Sequence, residues 1–276
     1  MKTLPQVDFC GKRISRLIIG GNPFSGNSHQ NAQMDAEMED FFTTQRIKDT
    51  LLKCLENGVN AAQLRGDKHI ARILREFRLE GNEIHWIGQT APEMTPFENN
   101  VRFIRNNGAF SLYHHGTVTD ALFKNGEYAE IERRLRVIRE SGMAVGLGSH
   151  MPEVFEYAET HRWDVDFYMC CVYNISKIDR VSSAITGKMN SGEPFDEEDR
   201  QKMFAFIRST DKPCLAFKIL GAGRRCTSDA DVESAFREAL TSIKPSDAVI
   251  VGMFPKEKDQ VTENANLVRR ILEEAK

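Results

Sequence analysis

No apolar run in this 276-residue chain approaches the roughly 18 residues of a membrane-spanning helix. The first segment, MKTLPQVDFCGKRISR, has no apolar core of the kind a signal peptide carries. Neither a membrane span nor a secretory leader is expected. Excess charge is also lacking. The 37 Lys and Arg against 40 Asp and Glu give a formal net charge of −3, so there is no electrostatic footprint for nucleic acid or an anionic membrane. The cysteines (Cys10, Cys54, Cys170, Cys171, Cys214, Cys226) follow no disulfide or metal-ligand spacing. They read as unpaired thiols in a reducing cytoplasm. A Gly-x-Gly-x-x-Gly turn after the first apolar run is missing, which counts against an open dinucleotide-binding sheet. No His-x-His pair provides a short-spaced metal site.

What the chain does have is alternation. Short apolar runs at Leu17–Gly20, Asn60–Leu64, Ile84–Gln89, Ala109–His114, Ala144–Gly148, Val165–Val172, Cys214–Lys218 and Ala248–Val251 read as strands. Several are continuously apolar, as parallel strands covered on both faces are. Between them, Thr44–Asn57, Lys68–Glu80, Phe97–Asn106, Glu127–Ser141, Pro152–Thr160, Asp196–Ser209, Asp229–Ser242 and Lys256–Lys276 carry apolar residues at helical spacing. Gly58, Gly108 and Gly142 each follow a helix and precede a strand, where a left-handed cap ends the helix. Eight strand–helix units without a linker predict one α/β domain over residues 1–276, a (β/α)8 TIM barrel. An N-terminal β-hairpin is predicted to turn near Cys10-Gly11-Lys12 and to close the barrel bottom. Two long stretches after strands, Pro23–Phe42 and Asn174–Pro194, read as irregular lids or binding loops.

In a barrel the C-terminal strand ends converge on one mouth, where barrel enzymes act. His29, Arg65, Gln89, His114 or His115, His150 and Lys218 all end or follow such runs. Neighbouring strand residues point to opposite faces, so only one of His114 and His115 can face the mouth. Arg65 is suited to clamp a carboxylate or phosphate. Asp67 reads either as a general base or as the N-cap of the helix beginning at Lys68. Lys218 is suited to phosphate binding or, if desolvated, to Schiff-base formation. His29, His114 and His150 together make an alternative divalent-metal set.

Segments in this order resemble the aldo-keto reductase superfamily over nearly the whole length. VDFCGKRISRLIIGG is similar to its hairpin and first strand, GVNAAQLRGDKHIARILREF to its second-strand segment, and FSLYHHG to its fourth strand. GLGSHMPEV, FYMCCVYN, LAFKILGAGR and AVIVGMFPKEKDQVTENANLV are similar to the fifth, sixth, seventh and closing segments. The resemblance implies an oxidoreductase binding NADP or NAD and a small carbonyl or sugar-like substrate. It assigns cofactor contacts to Ser149, His150, Tyr173, Lys218, Gly221, Gly223, Arg224, Gln260, Glu263 and Asn264. It picks His114 as the surviving member of the catalytic tetrad, beside Arg65, Asp67 and Gln89. The tetrad itself departs from the family. Gln63 stands at the aspartate position, QLRGDKHI holds no tyrosine, and Gln89 or Thr90 replaces the lysine.

Three functions follow as expectations. The first is the aldo-keto reductase-like enzyme. The second is a non-redox enzyme (isomerase, lyase or hydrolase, with or without a divalent metal) working at a histidine-lined mouth. The third is a non-catalytic binding barrel. In each the partner is a small molecule.

Overall fold

The structure is a computed structural model describing residues 3–178, 183–186 and 193–275. The chain opens with a two-stranded antiparallel hairpin, β1 (Gln6–Phe9) and β2 (Lys12–Ser15). Its turn residues Cys10 and Gly11 have φ of 46° and 79°. Two positive φ values are what a tight hairpin turn matching strand twist requires.

Eight strands follow: β3 (Leu17–Gly20), β4 (Ala61–Arg65), β5 (His85–Gln89), β6 (Ser111–His114), β7 (Ala144–Ser149), β8 (Phe167–Cys171), β9 (Cys214–Phe217) and β10 (Ala248–Gly252). They close into a barrel in chain order, β10 pairing β3, with every neighbour parallel. The described helices are α1 (Ala32–Phe41), α2 (Thr44–Glu56), α3 (Lys68–Leu79), α4 (Phe97–Asn106), α5 (Gly116–Lys124), α6 (Tyr128–Glu140), α7 (Pro152–Thr160), α8 (Ser183–Thr186), α9 (Glu198–Ser209), α10 (Asp229–Ser242) and α11 (Gln260–Glu274). The eight predicted strands and eight predicted helices all form, with ends shifted by a few residues.

Two cores result from strand alternation. Ile18, Ala61, Ile87, Phe167, Met169, Leu215 and Ile250 fill the barrel interior, and Val7, Phe9 and Ile14 of the hairpin pack on them from below. Phe9 meets Phe167 edge-on at 4.9 Å. Residues of opposite parity, such as Leu64, Trp86, Leu112, Leu147 and Tyr168, pack outward against the helices.

The stretch Pro23–Phe42 is not irregular throughout. It holds a short 3-10 turn, Pro23–Ser25, and α1. The Asn31 side chain caps α1 by accepting the Met34 N–H at 2.9 Å. Only Met38 of this helix is buried, so it lacks the apolar stripe that makes a helix legible. The second stretch, Asn174–Pro194, holds a 3-10 turn at Ile175–Lys177 and α8. The rest of that reading, residues 179–182 and 187–192, lies outside the described residues.

Candidate active site

Parity decides which side chains reach the mouth. On β4 the inward positions are Ala61, Gln63 and Arg65. On β5 they are Ile87 and Gln89. On β6 they are Ser111 and Tyr113, continuing to His115. These strands are in register: Arg65 lies beside Gln89, and Gln89 beside Tyr113. A cleft of about 90 Å3 at this end is lined by Gln63, Arg65, Gln89, Tyr113, His115, His150 and Lys218, with His29 from the β3–α1 loop.

His114 is therefore not a mouth residue, a correction of the expectation drawn from the resemblance. It shares the outward parity of Leu112 and packs beneath α5 and α6. Its Nδ1 lies 2.7 Å from Thr119 Oγ1 and its Nε2 3.2 Å from Arg134 Nη1, with the Phe97 ring alongside. Arg134 can only donate, so Nε2 accepts and Nδ1 carries the proton. Burial first, then the charge of Arg134, holds the imidazole well below its usual pKa. It is His115, one residue on, that faces the cleft.

His150 is held in place by Asp120, a residue of α5 that the sequence did not single out. The Asp120 carboxylate lies 2.7 Å from His150 Nδ1 and also accepts the His150 backbone N–H. The hydroxyls of Ser149 and Ser176 donate to it as well. Both partners are buried, at 6% and 2% side-chain exposure. A carboxylate on Nδ1 fixes the ring orientation and the tautomer, with the proton on Nδ1 and the lone pair on Nε2. Gly116 makes room for this ring, since a Cβ there would sit 3.2 Å from His150 Cε1.

Arg65 is fixed from behind. Its Nε donates to Asp67 at 3.1 Å and one terminal nitrogen donates to Glu93. The other oxygen of Asp67 accepts the Ile70 N–H at 2.9 Å, so Asp67 caps α3 and braces Arg65 rather than lining the cleft. Across the mouth the buried carboxylate of Glu193 lies 2.8 Å from His29 Nδ1 and 3.4 Å from Lys218 Nζ. Asn22 occupies His29 Nε2 at 3.0 Å. Both His29 and Lys218 have left-handed backbones, φ 59° and 60°. Such conformations are costly without glycine and cluster at binding sites.

The metal alternative is not assembled. His114 lies in the helix layer, and both nitrogens of His29 are engaged. Among the described residues no group of three or more His, Cys, Asp and Glu could hold an ion.

The positions expected to contact a nicotinamide cofactor are dispersed. Lys218 and His150 line the cleft. The Ser149 hydroxyl is committed to Asp120 and to the Met151 N–H. Tyr173 is buried and stacks on Phe195 at 4.3 Å, so a ring face that nicotinamide would use is covered. A Cβ on Gly221 would lie 2.6 Å from Phe195 Cε2, and one on Gly223 2.3 Å from Gln30 Nε2. This chain's own side chains thus fill the space those glycines leave. Arg224 donates to the Gly221 carbonyl and lies over Phe195. Gln260 accepts the Phe254 N–H, Glu263 pairs with Lys258, and Asn264 is buried in α11.

Tyr113 is the other residue that sequence reading missed. Its phenol lines the cleft, and burial raises its pKa while the Arg65 charge opposes that rise. Two glycines of β7 admit its ring. A Cβ on Gly146 would lie 2.6 Å from Tyr113 Cβ, and one on Gly148 2.9 Å from Tyr113 Cδ2. Alternation within SLYHHG puts Tyr113 on the same face as His115, but does not say which face that is.

No family model matches the chain, and no curated protein matches it in sequence. Solved structures do share its fold. The apo form of Gox0644 superposes with a TM-score of 0.58 at 11% identity, covering 99% of this chain and 94% of that one. A variant of Gox0644 in complex with NADPH gives 0.57 at 12%, covering 96% and 88%. Dihydropteroate synthase of Xanthomonas albilineans with 4-aminobenzoic acid gives 0.55 at 12%, covering 98% of each chain. Likeness at this level of identity establishes the barrel and leaves membership of the aldo-keto reductase superfamily unshown.

Proposed function

We propose that this chain is a (β/α)8 enzyme that moves protons on a small oxygen-bearing substrate, with His150 as general acid and base and Asp120 as the residue that positions it. The observation that carries this reading is the buried Asp120–His150 pair whose ring lines the cleft. An imidazole with Nδ1 held by a carboxylate can take up or release a proton at Nε2, and so can serve either direction of proton transfer. Arg65, Gln89 and Tyr113 offer donors to a carbonyl oxygen as it gains negative charge. Abstraction of a proton from the carbon beside that carbonyl leaves an enolate. Return of a proton to the same carbon gives exchange or epimerisation; where that carbon carries a hydroxyl, return to the former carbonyl carbon, with the hydroxyl proton passed to the former carbonyl oxygen, gives an isomerase turnover without a redox partner.

The test is incorporation of solvent deuterium. Small aldoses, ketoses and 2-oxo acids are incubated with the protein in D2O, without cofactor, and followed by proton NMR. Exchange beside the carbonyl is expected for at least one class. His150→Ala is expected to lower it by about 10²–10⁴-fold, the usual contribution of a positioned acid or base. Asp120→Asn is expected to cost at least about tenfold, because an amide can present N–H to Nδ1 and invert the tautomer. An exchange rate equal in wild type and His150→Ala would rule the assignment out.

A second reading is an aldo-keto reductase-like oxidoreductase using NADP or NAD. One observation favours it: a Gox0644 variant binds NADPH on the same barrel fold. The residues present do not fit the cofactor as they stand, since Phe195 and Gln30 occupy the space at Gly221 and Gly223 and Phe195 covers Tyr173. Fluorescence titration with NADPH and NADH separates the readings. Saturable micromolar binding supports the reductase. Absence of both cofactor binding and deuterium exchange is the result a non-catalytic barrel gives.

A further inference from the structure

We infer that the cleft is built for an uncharged polyhydroxylated ligand, a free sugar of about four to six carbons, and discriminates against its phosphate ester. This deepens the reading above by naming a substrate class for the same site.

Two independent observations lead there. The first is a layer of polar side chains left for a ligand to satisfy. Gln63, Gln89 and Tyr113 line the cleft on three adjacent strands. Gln63 is 9% exposed and Tyr113 4%. Neither amide nor the phenol makes a side-chain hydrogen bond to another described residue, and none of their polar atoms is both sealed from solvent and unpaired, so they are open to a ligand in the cleft. An amide offers two donors and an acceptor, and a phenol offers one of each. Such a set, held rigid by strand register, matches successive hydroxyl groups, each of which also donates and accepts.

The second observation is the charge around the layer. The cleft-lining cations among the described residues, Arg65 and Lys218, are already engaged by carboxylates. Arg65 bonds Asp67 and Glu93, and Lys218 pairs with Glu193. Behind the lining stand four carboxylates, Asp67, Glu93, Glu193 and Asp120, each paired with a cleft-lining Arg, Lys or His. A phosphate brought into this cleft meets an arginine and a lysine whose charge is already offset by carboxylates behind the lining. A neutral ligand carries no such penalty, because desolvation falls hardest on charge. The small cleft volume of about 90 Å3 agrees with a compact ligand.

The experiment is a binding comparison by saturation-transfer NMR and calorimetry. The probes are D-xylose and D-fructose against xylose 5-phosphate and fructose 6-phosphate. At least one uncharged probe is expected to bind, and its phosphorylated counterpart at least tenfold more weakly. Gln63→Leu and Gln89→Leu are each expected to weaken the uncharged probe about tenfold, as removing a hydrogen bond to a buried hydroxyl does. Thermal melts of both variants check that they fold. Equal or tighter binding of the phosphate ester overturns the inference, and so does failure of every uncharged probe to bind. Binding without deuterium exchange leaves this inference standing and removes the proton-transfer reading. Exchange confined to phosphorylated substrates does the reverse.

Discussion

His114 sits 1% exposed with both ring nitrogens hydrogen-bonded, and the folded chain resists its protonation. In the unfolded chain the same imidazole titrates near 6.5. Below that pH the unfolded state binds more protons than the folded one, so stability present above pH 6.5 is lost as pH falls. His85 is displaced in the same direction, chiefly by burial and then by Lys12. Melting temperature is expected to drop from pH 7 to pH 5, with His114 contributing up to about 1.4 kcal/mol per pH unit. His114→Gln should flatten that profile by its share, and an unchanged slope would contradict the assignment. The same residue shows what the sequence concealed. FSLYHHG marks a strand ending on two histidines, and alternation says only one faces inward. Which one depends on barrel parity, and parity is visible only once Tyr113 is seen inside. Asp120 was hidden for a different reason: it lies within GTVTDALFK, a helix with no chemical motif, and meets His150 only through the fold.

At the scale of elements, β7 shows how a strand gives up side chains to serve its neighbours. Its inward positions Gly146 and Gly148 are occupied in space by Phe167 and Tyr113. Gly146→Ala would place a Cβ 2.3 Å from the Phe167 ring and 2.6 Å from Tyr113 Cβ. Overpacking of this kind costs about 1–3 kcal/mol, read as a lower denaturant midpoint. Gly126→Ala meets nothing within 4 Å at a φ of 75°, so only backbone strain opposes it and the loss should be smaller. Equal losses at the two positions would mean the β7 glycines are not making room for the aromatic rings. Strands and amphipathic helices were legible because burial on a barrel imposes their period. Helix α1 was not, because it buries one residue and is specified by the Asn31 cap rather than by an apolar face.

For the whole molecule, the barrel and its hairpin plug follow from patterning alone, and comparison with solved structures agrees on the fold. The mouth is less legible. Arg65, Gln89, His150 and Lys218 converge as the strand ends require, whereas the expected cofactor positions in GAGR and in the closing helix pack against this chain's own residues. The fold fixes where chemistry can happen and leaves open which chemistry does. The central claim is that His150, positioned by Asp120, transfers the proton and that His114 is structural. It is tested most directly by measuring solvent-deuterium incorporation into the best substrate of the carbonyl panel, side by side for wild type, His150→Ala and His114→Gln, at a pH and temperature where all three remain folded. The account predicts loss of about 10²–10⁴-fold in His150→Ala and a rate within a few-fold of wild type in His114→Gln. Retained exchange in His150→Ala with loss in His114→Gln would contradict it.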